Sequence, residues 1–197
     1  PLVEEISEII GIDPWHLICD SFVSEEKCLE KETCRIQLAS DVDVFLATLE
    51  ARYAALGIDR KPVAYIKNNR GTYGLGIMIV TSGEQLLNLS NRKMKKLMYG
   101  KGSSDTEDFL IQEGVPTLMK TDSGSPVEPV VYLVDGDASS WFYRINPKKD
   151  EMGNLNSPSA QFITSEEDPS FMTHAHNWHA LLSELSMLAM GLESAAL

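Results

Sequence analysis

The sequence predicts an α+β protein dominated by antiparallel strand pairing. Two stretches and one spacing carry that expectation. Tyr65 to Val80 reads as strand, glycine loop, strand. Val63, Tyr65 and the run Ile77 to Val80 have β-branched and aromatic character on either side of Gly71, Gly74 and Gly76. Val127 to Val134 and Ser140 to Ile145 read as two further strands joined by the turn residues Asp135-Gly136-Asp137. Around them, apolar residues recur at helical intervals.

Taken in order, Leu2, Val3, Ile6, Ile9 and Ile10 share one helical face, and Gly11 stops it. Asp13-Pro14-Trp15 is a turn. Ser21 to Arg35 is charged and irregular, the composition of a loop. Asp41 is placed to cap a helix running to Leu56, with Val44, Leu49, Tyr53 and Leu56 on or near one face and Gly57 ending it. After the first hairpin, Ser82-Gly83-Glu84-Gln85 has the form of a capping box opening a helix to about Met98. Arg92, Lys93, Lys95 and Lys96 near its end are favourable charges for a helix C-terminus, or else an extra anion contact. Gly100 to Asp105 is a polar loop. Phe109 to Val115 is a short strand running into a turn, and Thr121 to Ser125 is a loop. Asp150 to Pro158 is polar and turn-rich, and Gln161 to Thr164 is a last short strand. His174 to Glu193 closes the chain as an amphipathic helix with Leu181, Leu182, Leu185, Leu188 and Met190.

A chain of 197 residues can bury one real core and a small second unit. The net charge of −12 argues against a general nucleic-acid binder. It also requires that an anionic ligand be held by local donors and Mg²⁺, not by the field of the whole chain. No apolar run approaches the ~20 residues that span a bilayer, so no membrane role is expected. Cys19, Cys28 and Cys34 are odd in number and lack zinc spacing, which reads as reduced thiols of a cytoplasmic protein. The chain starts at Pro1 inside an apparent helix, as a processed chain or a piece of something longer would.

The glycines of the first hairpin carry the chemistry. Their pattern is G-x-x-G-x-G, and a loop of free N–H groups can hold phosphate oxygens. Lys67 ends the incoming strand, where its ammonium could reach the same phosphates. No Lys-Ser or Lys-Thr follows, which excludes a Walker loop, and a β-type run follows where a Rossmann fingerprint needs a helix. A glycine loop at the tip of a hairpin, with lysine on the incoming strand, is how ATP-grasp enzymes and protein kinases cover a nucleotide. An ordinary glycine-rich turn would look the same. A kinase is disfavoured, because no His-Arg-Asp or Asp-Phe-Gly element is present.

Several motifs occur in one order. They are Lys67 before Gly71-Thr72-Tyr73-Gly74-Leu75-Gly76-Ile77-Met78, then Gln112-Glu113-Gly114-Val115, Glu128-Pro129-Val130-Val131-Tyr132, Phe142-Tyr143-Arg144-Ile145-Asn146 and Asn154-Leu155-Asn156-Ser157-Pro158. Together, and with Asp13-Pro14-Trp15, they resemble the proteobacterial glutamate–cysteine ligases (γ-glutamylcysteine synthetases) of the iron-oxidiser type. The resemblance runs from near Pro1 to about Phe162. More remotely the layout is similar to the ATP-grasp superfamily. Asn68-Asn69-Arg70 departs from the small or acidic residues expected before Gly71.

The resemblance implies an ATP-grasp-like fold, with a helical lead-in over 1–60, a nucleotide-binding domain over 61–165 and a packed C-terminal helix over 166–197. It implies ATP and Mg²⁺ as cofactors, glutamate and cysteine as substrates, and glutathione synthesis as the context. A missing amino-terminal half or a homo-oligomer would complete substrate binding. A nucleotide-binding or regulatory fragment without turnover is the alternative.

For single residues the resemblance implies the following. Lys67 would contact the α/β phosphates, unless it is a surface lysine. The backbone of Gly71, Thr72, Tyr73 and Gly74 would cover the β/γ phosphates. Gln112 and Glu113 would lie at the adenine and ribose edge, with the Gln112 carbonyl and Val115 amide mimicking base pairing, unless Glu113 is a solvated strand end. Glu128 would sit near the nucleotide. Strand alternation could put Arg144 on a cleft face with Phe142, opposite Tyr143, to meet the γ-phosphate or to make a structural salt bridge. Asn154 or Asn156 would hold Mg²⁺ or orient the acyl phosphate, unless they serve a turn. Asp135, Asp137, Asp150 and Glu151 are candidate acidic ligands. His174, His176 and His179 read as a solvated helix start rather than a metal site.

Overall fold

The computed structural model of the chain describes residues 2–70, 76–98, 107–164 and 175–195. The chain divides into two units, Cys19–Val115 on one hand and Pro1–Ile18 with Pro116–Leu197 on the other. These divisions fall elsewhere than the boundaries at 60 and 165 expected from the sequence. Both units are mixtures of helices and antiparallel strands, so the α+β expectation holds.

The Cys19–Val115 unit contains strand β1 (Ser21–Ser24), helix α2 (Glu32–Ala55), strands β2 (Ala64–Asn68) and β3 (Ile77–Val80), helices α3 (Glu84–Leu87) and α4 (Asn91–Met98), and strand β4 (Phe109–Glu113). The sheet order is β1-β4-β2-β3, antiparallel throughout. The expected hairpin is present, with Lys67 opposite Ile77 and Ala64 opposite Val80. Along β2 and β4 every second residue is buried: Ala64, Ile66 and Asn68, then Phe109, Ile111 and Glu113. That face meets Leu38, Ala39, Val42 and Leu46 of α2 and Leu97 and Met98 of α4 in one core. Tyr65, Lys67, Leu110 and Gln112 therefore point to the other face.

Three local expectations are corrected here. The stretch expected to be a loop between Ser21 and Arg35 holds β1 and the start of α2. Helix α2 begins nine residues before Asp41, at Glu32. The Asp41 carboxylate caps nothing and instead accepts from Ser24 Oγ at 2.7 Å. The buried stripe is Leu38, Ala39, Val42, Leu46, Leu49 and Tyr53, whereas Val44 and Leu56 are exposed. The single helix expected from Ser82 to Met98 is broken into two. Gln85 does reach back, accepting from the Thr81 N–H at 2.7 Å, but the helix stops at Asn88. Ser90 starts the second, its carbonyl accepting from the Met94 N–H at 3.0 Å.

The other unit opens with helix α1 (Leu2–Ile10) and a 3₁₀ turn at Pro14–His16, capped by Asp13 Oδ1 accepting from the Trp15 N–H at 2.9 Å. Its sheet has strands β5 (Val127–Val134), β6 (Asp137–Ile145) and β7 (Gln161–Thr164), with β6 in the middle. Asp135 and Gly136, at φ +55° and +96°, make the two-residue turn between β5 and β6 that a right-twisted hairpin favours. Helix α5 (Ala175–Ala195) packs on β5 and β6. Its expected apolar stripe is not a core face, since Leu181, Leu188 and Met190 are exposed.

Candidate functional site

Lys67 occupies the second-last position of β2, on the sheet face away from the core. Its ammonium donates to the side-chain oxygen of Gln112 and lies 5.7 Å from the centre of the Tyr65 ring. The contact is diagonal across the ladder, because Gln112 stands opposite Tyr65 and Lys67 opposite Leu110. Burial pushes the Lys67 amine below its ordinary value, and the nearby Cys19 sulfur pulls part of the way back. The nitrogen of the same Gln112 carboxamide, Nε2, donates to Cys19 Sγ at 2.7 Å. Lys67, Gln112 and Cys19 therefore form one connected group.

Sequence reasoning expected the Gln112 carbonyl and the Val115 amide to face a base. The ladder gives the backbone of Gln112 another place. Glu113 N–H donates to Asp20 O on the β1 side, and Gly114 N–H donates to Val63 O on the β2 side. By antiparallel alternation the N–H and C=O of Gln112 face Tyr65 of β2. Val115 lies beyond the strand and is 55% exposed. Glu113 is neither a solvated strand end nor turned toward Lys67. It is buried on the core face, where Oε1 accepts from Tyr53 Oη at 2.7 Å and Oε2 from the Asp20 N–H at 3.3 Å. Burial first, and Glu113 second, push the Tyr53 hydroxyl up to about 12. Arg60 closes this group by donating to Tyr53 Oη at 3.1 Å.

Gly71, Thr72, Tyr73 and Gly74 lie outside the described residues, but both roots of their loop are described. Asn68, just before the loop, is buried and joined to its far side. Its N–H donates to Gly76 O at 2.9 Å, its Oδ1 accepts from the Arg70 N–H at 2.8 Å, and its Nδ2 donates to Met98 O at 2.7 Å. Gly76 has φ +70°, and a Cβ there would stand 2.9 Å from Asn68 Cβ. Asn68 had no role in the sequence reading. An asparagine beside a glycine loop is ordinary turn composition, and nothing local shows that it is buried.

In the other unit, β5 and β6 set Glu128 directly opposite Arg144, and β7 sets Phe162 opposite Arg144 on its other side. Arg144 Nη1 is ion-paired to Glu128 Oε1, and the guanidinium carbon lies 5.9 Å from the Phe162 ring centre. Phe142 shares this face, with its ring 5.5 Å from Phe162, while Tyr143 is wholly buried on the opposite one. The expected alternation is thus present, and so is the structural salt bridge offered as its alternative. The pair does not use up the guanidinium. Arg144 Nε is buried and has no acceptor among the described residues, and an unpaired buried donor of a cation favours an anionic ligand.

The asparagines follow turn chemistry. Asn154 Oδ1 accepts from the Asn156 N–H at 3.1 Å. The buried asparagine of this segment is Asn146, which sequence reading left within a motif without a role. Its Nδ2 donates to Leu155 O and Ser157 Oγ at 3.2 and 2.9 Å, and its Oδ1 accepts from Ser159 Oγ at 3.1 Å. Glu151 is committed to Lys120 at 2.7 Å. Among the described residues no three His, Cys, Asp or Glu side chains come together as a metal site. His176 is not solvated as expected: its ring lies 4.0 Å from that of Trp141 and its Nε2 is buried without a partner among the described residues. His174 lies outside them.

Two mixed units, each with an antiparallel sheet that carries a partly buried basic side chain on the face away from its core, define an α+β class of protein. The comparisons narrow that class. The sequence model of the glutamate-cysteine ligase family matches residues 1–190, and the chain belongs to that family. A crystal structure from Methylobacillus flagellatus KT, whose ascribed identity is gamma-glutamylcysteine synthetase, is 30% identical and superposes with a TM-score of 0.72. That match covers 83% of this chain and 39% of the other. This chain therefore spans well under half the length of the protein it matches. No curated protein matches it.

Proposed function

We propose that the chain carries the ATP-handling part of a glutamate–cysteine ligase. ATP would transfer its γ-phosphoryl group to the γ-carboxylate of L-glutamate, releasing ADP. The amine of L-cysteine would then attack the acyl carbon and expel phosphate, leaving the γ-glutamyl amide. This is the first step of glutathione synthesis. Such chemistry depends on positioning and charge neutralisation more than on acid–base groups.

The observation that carries the reading is Lys67. It is a half-buried lysine fixed by Gln112 at the entrance to a glycine loop, in a chain matched to the family over nearly its whole length. In this reading Lys67 takes the nucleotide phosphates, and the backbone of Gly71 to Gly74 covers them. In the other unit Arg144, with a spare N–H and Glu128 to hold its other edge, offers a separate place for a phosphate or carboxylate group. The Gln112 side chain and Val115 remain the candidates for the adenine side, whereas Glu113 is turned into the core and is not one. The ATP-grasp assignment belongs to the same proposal. Mg²⁺ would enter with ATP, and the described residues supply little for it. Asn154 Oδ1 is engaged by Asn156, and no acidic cluster stands near them among the described residues. The two asparagines do not fit a magnesium site by themselves.

A cytoplasmic setting goes with free Cys19, Cys28 and Cys34, and no described helix is long and apolar enough to cross a membrane. A second reading is a nucleotide-binding module without turnover. In either case a further segment or a second copy would complete the substrate site. Calorimetric titration of Mg·ATP into the chain, beside Lys67→Ala, tests both. Saturable binding that falls about tenfold or more in the variant is expected. ADP release on adding glutamate and cysteine selects the ligase. A folded chain that ignores millimolar Mg·ATP sinks both readings.

A further inference from the structure

The cluster of Lys67, Gln112 and Cys19 holds more than a phosphate lysine. An ammonium has only donors, so it must take the carboxamide oxygen of Gln112. That choice turns the NH₂ of the same group toward Cys19 Sγ, 2.7 Å away. The sulfur can accept there. A carboxamide is close to symmetric in shape, and without a partner for its NH₂ end it could turn over, presenting two donors to a cation. Three distant parts of the chain meet in this arrangement: the residue two before β1, the middle strand β4 and the neighbouring strand β2.

We propose that Cys19 and Gln112 are positioning residues for Lys67: the Cys19 sulfur fixes which way the Gln112 carboxamide faces, and that carboxamide fixes where the Lys67 ammonium stands for an anionic ligand. Neither residue needs to touch the ligand. The inference rests on the reading of Lys67 as a phosphate ligand, but the network can be tested without nucleotide. The Lys67 amine is already lowered by burial, and Cys19 works against that shift. Removing either support should lower it further and expose more free amine at a given pH.

The experiment is a pH series of Lys67 acylation by an amine-reactive ester on the intact folded chain, read as mass gain on the Lys67 peptide. Wild type is compared with Cys19→Val, Cys19→Ser and Gln112→Leu, each checked for native helix content. Mg·ATP titrations are run on the same samples. Cys19→Val and Gln112→Leu are expected to speed acylation by about threefold or more at fixed pH below the amine's midpoint, the effect of half a pKa unit. Cys19→Ser keeps an acceptor and should stay nearer wild type. Mg·ATP affinity should drop about threefold or more in the first two variants and less in the serine variant.

Superimposable acylation profiles in all four proteins would overturn the network. Unchanged Mg·ATP affinity in Cys19→Val and Gln112→Leu, with Lys67→Ala impaired, would also overturn the positioning role while leaving the nucleotide reading intact. A shifted acylation profile in a chain that binds no Mg·ATP supports the network and removes the nucleotide reading instead. If a valine at position 19 disturbs folding, Gln112→Leu and Cys19→Ser still give the comparison.

Discussion

The side-chain amide of Asn68 donates to the carbonyl of Met98 at 2.7 Å, tying the root of the glycine loop to the end of a helix thirty residues further on. The same side chain accepts from Arg70 N–H at the core's edge, so both ends of its dipole are used. Asn68→Leu would leave Met98 O without its buried donor and Arg70 N–H without its acceptor. The expected cost is about 1–3 kcal/mol, measured as the shift in urea-unfolding free energy. Asn68→Asp, which keeps only the acceptor, should also fall short of wild type.

Gly76 and Gly57 have nearly the same backbone, φ +70° and +68°, but different surroundings. A Cβ at Gly57 meets nothing within 4 Å, while at Gly76 it meets Asn68 Cβ at 2.9 Å and Leu97 O at 3.2 Å. Gly57→Ala should cost about 1 kcal/mol, from left-handed backbone alone. Gly76→Ala should cost clearly more in the same denaturant assay. Equal losses would mean that the loop root relaxes freely.

Tyr53 links pH to stability at the alkaline end. Its folded hydroxyl is raised from 10.0 to about 12, so the fold holds its proton more tightly than the unfolded chain does. That contribution is complete below the unfolded value and is lost as pH climbs from 10.0 toward about 12. Tyr53→Phe removes a donor from buried Glu113 and should lower stability at neutral pH by about 1–3 kcal/mol. It should also flatten this part of the alkaline decline, visible as a urea midpoint that changes less with pH than in wild type.

His179 gives the opposite end. Burial, and then His176 beside it, hold its imidazole below the ordinary 6.5. The unfolded chain binds that proton more readily. Stability from His179 is therefore present above the ordinary value and lost as pH falls through the depressed one. His179→Gln should reduce the loss of helical signal between neutral pH and about pH 5. An acid decline identical to wild type would remove His179 from the account.

Arg144 and Glu128 should differ sharply on substitution. Arg144→Ala removes the cation and leaves a carboxylate that is 34% exposed and can turn to water. Glu128→Gln leaves the guanidinium with an additional donor to offer. Phosphate-dependent protection of the chain against thermal unfolding should disappear in Arg144→Ala and persist or increase in Glu128→Gln. A loss in both would assign the pair to the fold alone.

Both hairpins were legible in the sequence because their signals are local. Ile77 to Val80 is a β-type run, and Asp135-Gly136 can adopt the positive φ values its turn requires. Residues whose partners lie far along the chain were not legible. Ser21–Ser24 is a strand only because Phe109–Gln112 lies beside it, and no four-residue stretch announces a partner that distant. Asp41 looked like a helix cap, the usual work of an aspartate before an apolar run, but Ser24 already engages its carboxylate. The break after Leu87 did leave a trace, in Asn88 and Ser90, which the capping box at Ser82 outweighed. In the site, Lys67 stood out as the lysine ending the strand before the glycines, and Arg144 as a charge in an apolar strand. Cys19, Asn68 and Asn146 did not, because their importance comes from burial and from donors elsewhere in the chain.

The order β1-β4-β2-β3 also bears on how this protein is made. A chain leaving the ribosome can close the β2–β3 hairpin as soon as Val80 emerges. Ser21–Ser24 has no such option, since among the described residues its sheet neighbour is β4, the last described strand of its unit to be synthesised. Cys19 and Asp20 wait with it, so the Lys67 cluster and the Glu113 cluster are both assembled at the final step of sheet closure. During synthesis, an alkylating reagent should therefore find Cys19 open until Glu113 has cleared the exit tunnel and become protected soon afterwards.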